Sequence, residues 1–145
     1  MATSSLRASG PRESGIDAAL LILRLTLGVF TLLHGVNKLP TPPGYIVDML
    51  AKANLPAVLA WGVYVGEIVG PVLILVGVWT RLGALFIVLN MLVALVFVHS
   101  GDLFHLNEQG GYALELQAFY LMTAVALMFS GAGRYSVGGR YGPMN

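Results

Sequence analysis

Four apolar runs dominate the chain, at residues 18–39, 57–79, 82–99 and 112–130. Each comes close to the roughly 20 residues that a helix needs to cross a hydrocarbon core about 30 Å thick. The third is the shortest, but it has no charge between Arg81 and His99. In lipid only helices and closed barrels satisfy their own backbone, and hydrophobicity that is continuous rather than alternating selects helices. The expected fold class is all-α, an integral membrane four-helix bundle.

The polar stretches between the runs set the organisation. Residues 1–16, MATSSLRASGPRESGI, contain no apolar staple and read as a disordered cytoplasmic tail. The run that follows is too long for a signal peptide and no small-x-small site closes it, so the first helix is expected to stay uncleaved. Residues 17–131 then form the transmembrane domain, and residues 132–145 a flexible cytoplasmic C-terminal tail. The connection at Thr80 and Arg81 is so short that the second and third helices must form a tight hairpin. The first connection, Pro40 to Pro56, places Tyr45, Ile46, Met49, Leu50 and Ala53 on one helical face. That face suits a short helix lying in the outer interface, with an ordinary capping loop as the equal alternative.

Basic residues orient the bundle. Arg7, Arg12, Arg81, Arg134 and Arg140 fall on one side, against Lys38 and Lys52 on the other. The bias predicts both termini inside, in the cell (inner) membrane of the host. Composition agrees: 57% of residues are hydrophobic and 10% charged, where a soluble domain carries roughly 25% charged residues. A net charge of +1 offers no basic face to nucleic acid, and the absence of cysteine removes disulfides, thiol relays and cysteine-ligated clusters. Membrane lipids and protein partners in a membrane complex are the expected company, with a homo-oligomer open.

Small residues supply packing signals: Gly62, Gly66 and Gly70 in the second helix, and Gly28, Thr31 and Gly35 in the first. Pro71 should kink the second helix near its middle.

Polar residues inside the spans carry the chemistry, because a charge at the bilayer centre costs about 2.5–3.5 kcal/mol on insertion scales and needs a partner or a cavity. At about 1.5 Å per residue, Glu67 and Asn90 fall near the midplane and Arg24 roughly 5 Å to the cytoplasmic side. His34, Glu115 and Gln117 fall in the outer half, with Lys38 and His99 near the outer edge. Two constellations follow. Arg24 and Glu67 are expected to pair and, with Asn90, form a buried polar core, either as a structural ion pair or in proton transfer or substrate binding. His34, Lys38, His99 and Glu115 converge from three helices and form the candidate quinone or substrate site, in which His and Lys donate to carbonyls and Glu accepts a proton. Lys38 snorkelling to the headgroups and His99 capping its helix are the plain alternatives. Haem between His34 and His99 has no further motif behind it. A metal on His99, Asp102 and His105 has equally little, and no metal site is expected.

Several short patterns resemble the DoxX family of small four-helix membrane proteins. They are Arg24-Leu25-x-Leu27-Gly28, His34-Gly35-x-x-Lys38-Leu39, Glu67, Gly77-x-x-Thr80-Arg81-x-Gly83, Glu115, and Gly131-Ala132-Gly133-Arg134-Tyr135-Ser136. Their order and spacing cover residues 17–138. The resemblance implies association with a terminal quinol oxidase, with thiosulfate:quinone oxidoreduction, or with soluble redox-defence enzymes. The family's Leu-Asp after Arg-Tyr-Ser is replaced here by Val137-Gly138-Gly139, so no role of that acidic residue carries over. Three functions remain: a quinone-linked redox subunit, a non-enzymatic scaffold that recruits redox or stress-response partners, and a small-solute or proton carrier.

Overall fold

A computed structural model describes residues 11–145. We label its main helices α1 (Pro11–Asn37), α2 (Gly44–Lys52), α3 (Ala57–Val76), α4 (Thr80–Val98) and α5 (Glu115–Ser130). No strand forms among the described residues; one isolated bridge, Leu106 to Tyr112, closes a turn between α4 and α5. By length and composition, Glu13–Asn37, Ala57–Val76 and Thr80–Val98 can cross a membrane, and α5 is a shorter apolar helix. Of the expected tail at residues 1–16, the first ten lie outside the described residues and the last six are the opening turns of α1, where Pro11 suits a first helical position.

The core is drawn from four helices. Leu27 of α1, Ile74 of α3, Ala84, Ile87, Val88 and Met91 of α4, and Ala124 and Leu127 of α5 pack together. Without a hydrophobic drive in lipid, such helices need close backbone approach. The glycines supply it, and they also define the register. Gly28 sits against Ile74 and Leu75, and Gly35 against Glu67 and Ile68, so α1 and α3 run antiparallel. Gly70 and Gly83 bring α3 and α4 together, each leaving a Cβ position only 2.8 Å from the other's carbonyl oxygen. Gly62, the first of the glycine stripe, packs against nothing within 4 Å.

That register places the end of α1 well inside α3. The Tyr64 hydroxyl donates to the Lys38 carbonyl at 2.7 Å, and Tyr64 lies about two helical turns into α3. The first turns of α3 therefore overhang α1, and α2 folds over the gap. Its residues Tyr45, Ile46, Met49 and Leu50 line a cavity beneath it, with Leu50 buried and Tyr45 half exposed, which is the helical reading of the Pro40–Pro56 connection.

Pro71 does interrupt α3, with a π-helical turn at Val65–Val69 just before it. A second π-turn, Ala94–Val98, ends α4. Proline has no amide hydrogen to return to the carbonyl four residues earlier, that of Glu67. Gly35 approaches this same carbonyl so closely that a Cβ there would collide with it. Gly35→Ala is thus expected to cost about 1–3 kcal/mol, read as a lower unfolding midpoint in detergent. Gly62→Ala, in open space, should not lower it.

The opposite end of the bundle is tied rather than loose. Where a flexible tail is expected after residue 131, the segment folds back beneath the helices. Asn145 accepts from the Thr80 amide and hydroxyl and donates to the carbonyls of Gly77 and Gly139. Asp17, buried on α1, accepts from the Arg134 amide at 2.9 Å and from Arg140 at 2.6 Å. The hydrogen bond that Arg140 donates to the Asp17 carboxylate, with the charge of that carboxylate, holds the guanidinium above its ordinary pKa. Asp17 and Asn145 carry no signal in the sequence, because their partners, backbone and side chain alike, are, Gly139 apart, distant in sequence and brought near only by the fold.

Candidate functional site

The expected Arg24–Glu67 pair does not form. Arg24 is buried and spends its guanidinium on four carbonyls: Nε on Ile74 at 2.7 Å, Nη1 on Ala132 and Tyr135 at 3.0 and 2.8 Å, and Nη2 on Leu75 at 3.1 Å. Ile74 and Leu75 belong to the last turn of α3, whose carbonyls have no helical partners and carry the negative end of the helix dipole. Those carbonyls lie about 10 Å of helix beyond Glu67. Gly77, left-handed at φ 74°, ends α3 where a side chain would strike that guanidinium. Arg24 is a structural clasp across α1, α3 and the segment after α5.

Glu67 instead pairs with Lys38. The ammonium donates to both carboxylate oxygens at 2.5 Å, and Asn90 Nδ2 donates to Oε1 at 3.3 Å. Lys38 neither snorkels outward nor joins the histidines. It points inward because α1 ends beside the middle of α3, a register that depth counted from the apolar runs does not reveal. Glu67 and Asn90 are placed together as expected, with Lys38 in the role expected of Arg24.

The trio forms one end of a cavity of about 540 Å³ roofed by α2 and walled by α3 and α4. Its remaining lining is almost wholly apolar, with Leu50, Val63, Phe86, Ala94 and Phe97 among the walls. Both π-turns contribute to it, and such turns recur at functional sites because they re-aim side chains. A few convergent polar groups in a mostly apolar cavity of this size is the usual form of a small-molecule site.

The other expected site residues lie apart. His34 packs edge-on against Tyr120 with ring centroids 6.0 Å apart, in a separate pocket with Phe30, Leu33 and Asn37. His99 contacts Gln117 at 3.5 Å and Asp102 at 3.8 Å. Glu115 is exposed in the first turn of α5. Among the described residues no group of three or more His, Cys, Asp or Glu could hold a metal ion. Thr31, on the α1 face between Gly28 and Gly35, buries a hydroxyl that has no hydrogen-bond partner among the described residues.

The DoxX family model matches residues 19–100. That stretch holds Arg24, Lys38, Glu67 and Asn90, and stops short of Glu115. An uncharacterized protein of Haemophilus influenzae is 30% identical over 125 residues, covering 84% of this chain and 90% of its own length. A Bacillus subtilis protein named "Putative oxidoreductase CatD" is 28% identical over 109 residues, covering 75% of this chain and 81% of its own. No solved structure matches.

Proposed function

This chain belongs to the DoxX family of membrane proteins, and we propose that it is a quinone-linked redox subunit whose headgroup site is the Lys38–Glu67–Asn90 end of the cavity. In this reading α1, α3, α4 and α5 cross the inner membrane with both termini inside. Support for the orientation comes from Arg81, Arg134 and Arg140 lying at one end, while Lys38 is withdrawn into the bundle and leaves Lys52 at the other. The redox label is supported by the oxidoreductase name carried by the Bacillus relative.

The observation that carries the site is a charged pair set into an otherwise apolar cavity. A quinone bound there supplies a two-electron, two-proton couple, with electrons exchanged through a partner protein of the complex. Lys38 donates an N–H toward a ring carbonyl. Glu67 holds or releases a proton at its carboxylate, and Asn90 fixes the orientation of that carboxylate. The apolar walls exclude water, which strengthens each of these interactions.

Native mass spectrometry of the gently extracted protein tests the reading. A quinone-sized adduct is expected on the native protein and on His34→Ala, and its loss is expected on Glu67→Gln. A native protein free of quinone, or an adduct that Glu67→Gln retains, overturns it. A scaffold role is the second reading, favoured by the nearly full exposure of Phe104 and Tyr141 in the segments flanking α5.

A further inference from the structure

Three features of the cavity restrict what can occupy it. The first is charge. Lys38 and Glu67 neutralise one another at the polar end, and among the described residues no other charged side chain lines the cavity. An anionic headgroup would have to displace the Glu67 carboxylate from Lys38 and leave it buried without its cation, which is costly.

The second is the inventory of groups still free to bind. An ammonium has three N–H groups and the Glu67 carboxylate engages two. Asn90 spends one amide N–H on Glu67 and keeps a second donor and a carbonyl. The polar end therefore asks for a head that presents a carbonyl or hydroxyl oxygen and no charge.

The third is Gly62. It lines the cavity, and nothing lies within 4 Å of where its Cβ would be. Four residues on, Gly66 meets Asn90 and Gly70 meets Gly83 across the α3–α4 contact. The stripe thus changes role along α3: its last two glycines admit a neighbouring helix, and its first, an exposed residue, leaves open space at the border of the cavity. The rim adds that the way in is apolar, since Leu59, Leu89 and Val93 line the cavity and are half exposed.

We infer that the cavity takes an uncharged, single-chain amphiphile with an oxygen-bearing head, and that Gly62 is the residue that sets the size it admits. The head rests at Lys38 and Asn90, as in the proposed quinone site on which this inference builds, and the chain leaves along α2 and the first turns of α3.

Purified protein and Gly62→Leu are titrated with decyl-benzoquinone, monoolein and oleate, and unfolding midpoints are recorded beside the binding curves. Leucine is the better helix former and fills open space, so the midpoint should hold or rise. The native protein is expected to bind decyl-benzoquinone and monoolein at least tenfold more tightly than oleate at pH 9, where oleate is ionised. Gly62→Leu is expected to lose at least tenfold for both neutral probes. Monoolein bound and quinone refused by the native protein overturns the quinone reading and sustains this one. Quinone bound equally by the native protein and Gly62→Leu overturns this inference and leaves the quinone reading standing. Oleate bound as tightly as the neutral probes also overturns the inference, and a native protein that binds neither neutral probe overturns both.

Discussion

Arg24→Met is expected to leave the protein largely unfolded or aggregated on extraction, while Arg24→Lys recovers part of the loss. The guanidinium reaches carbonyls at the end of α3 and in the segment after α5 simultaneously. Methionine fills similar space but donates nothing, and the buried acceptors it abandons include two in the last turn of α3. Hydrogen bonds from a charged donor are worth about 1.5–3 kcal/mol each and are not additive. A loss of at least about 3 kcal/mol is therefore a large share of the roughly 5–15 kcal/mol that stabilises an ordinary domain. Lysine restores the charge, but its single nitrogen cannot span the same carbonyls. The measurement is the recovery of monodisperse protein and its unfolding midpoint. A methionine variant as stable as the native protein would remove Arg24 from its structural role.

The second large effect concerns Lys38 and Glu67. Lys38→Met alone leaves a buried carboxylate unpaired, and Glu67→Leu alone leaves a partly buried ammonium. Either should cost about 3–5 kcal/mol. The double variant Lys38→Met/Glu67→Leu removes both charges together and should regain most of that stability, because an apolar pair of similar volume often replaces a buried ion pair at little cost. It should nonetheless carry no quinone. This double-variant cycle separates the two meanings of the pair. A double variant that is stable and still binds quinone would make the pair a fastening only. A double variant as unstable as either single one would mean that the pair's removal is not compensated by packing.

Much of the fold was legible in the hydrophobic pattern, and the site was legible only in fragments. Continuous apolar runs located α3, α4 and α5 to within a few residues, whereas α1 starts seven residues before its run, and the apolar face of residues 45–53 allowed α2 as one of two readings. Glu67 and Asn90 were placed at similar depth, and they do meet. The mispairing of Arg24, Lys38 and Glu67 has one cause, which is register. Depth counted from run ends treats the helices as flush, yet α1 begins at Pro11 and stops at Asn37, and α3 overhangs it. The slide follows from Gly35 closing on the Glu67 carbonyl, a contact between backbones that hydropathy does not encode. It moved Lys38 onto Glu67 and Arg24 beyond it. The partners of Arg24 are all backbone carbonyls, which every residue type carries, and the Arg140 that meets Asp17 lies 123 residues away, so no spacing of side chains could have pointed to either.

The early end of α1 has a consequence for supply. On the proposed reading, the charged pair sits within the bundle and the cavity rim is apolar, so an occupant is expected to come sideways out of the leaflet, not up from water. The relevant concentration is then a mole fraction in lipid, and encounter is a search in two dimensions. Diluting the protein in buffer should leave occupancy nearly constant, whereas diluting it with extra lipid should empty the site in proportion.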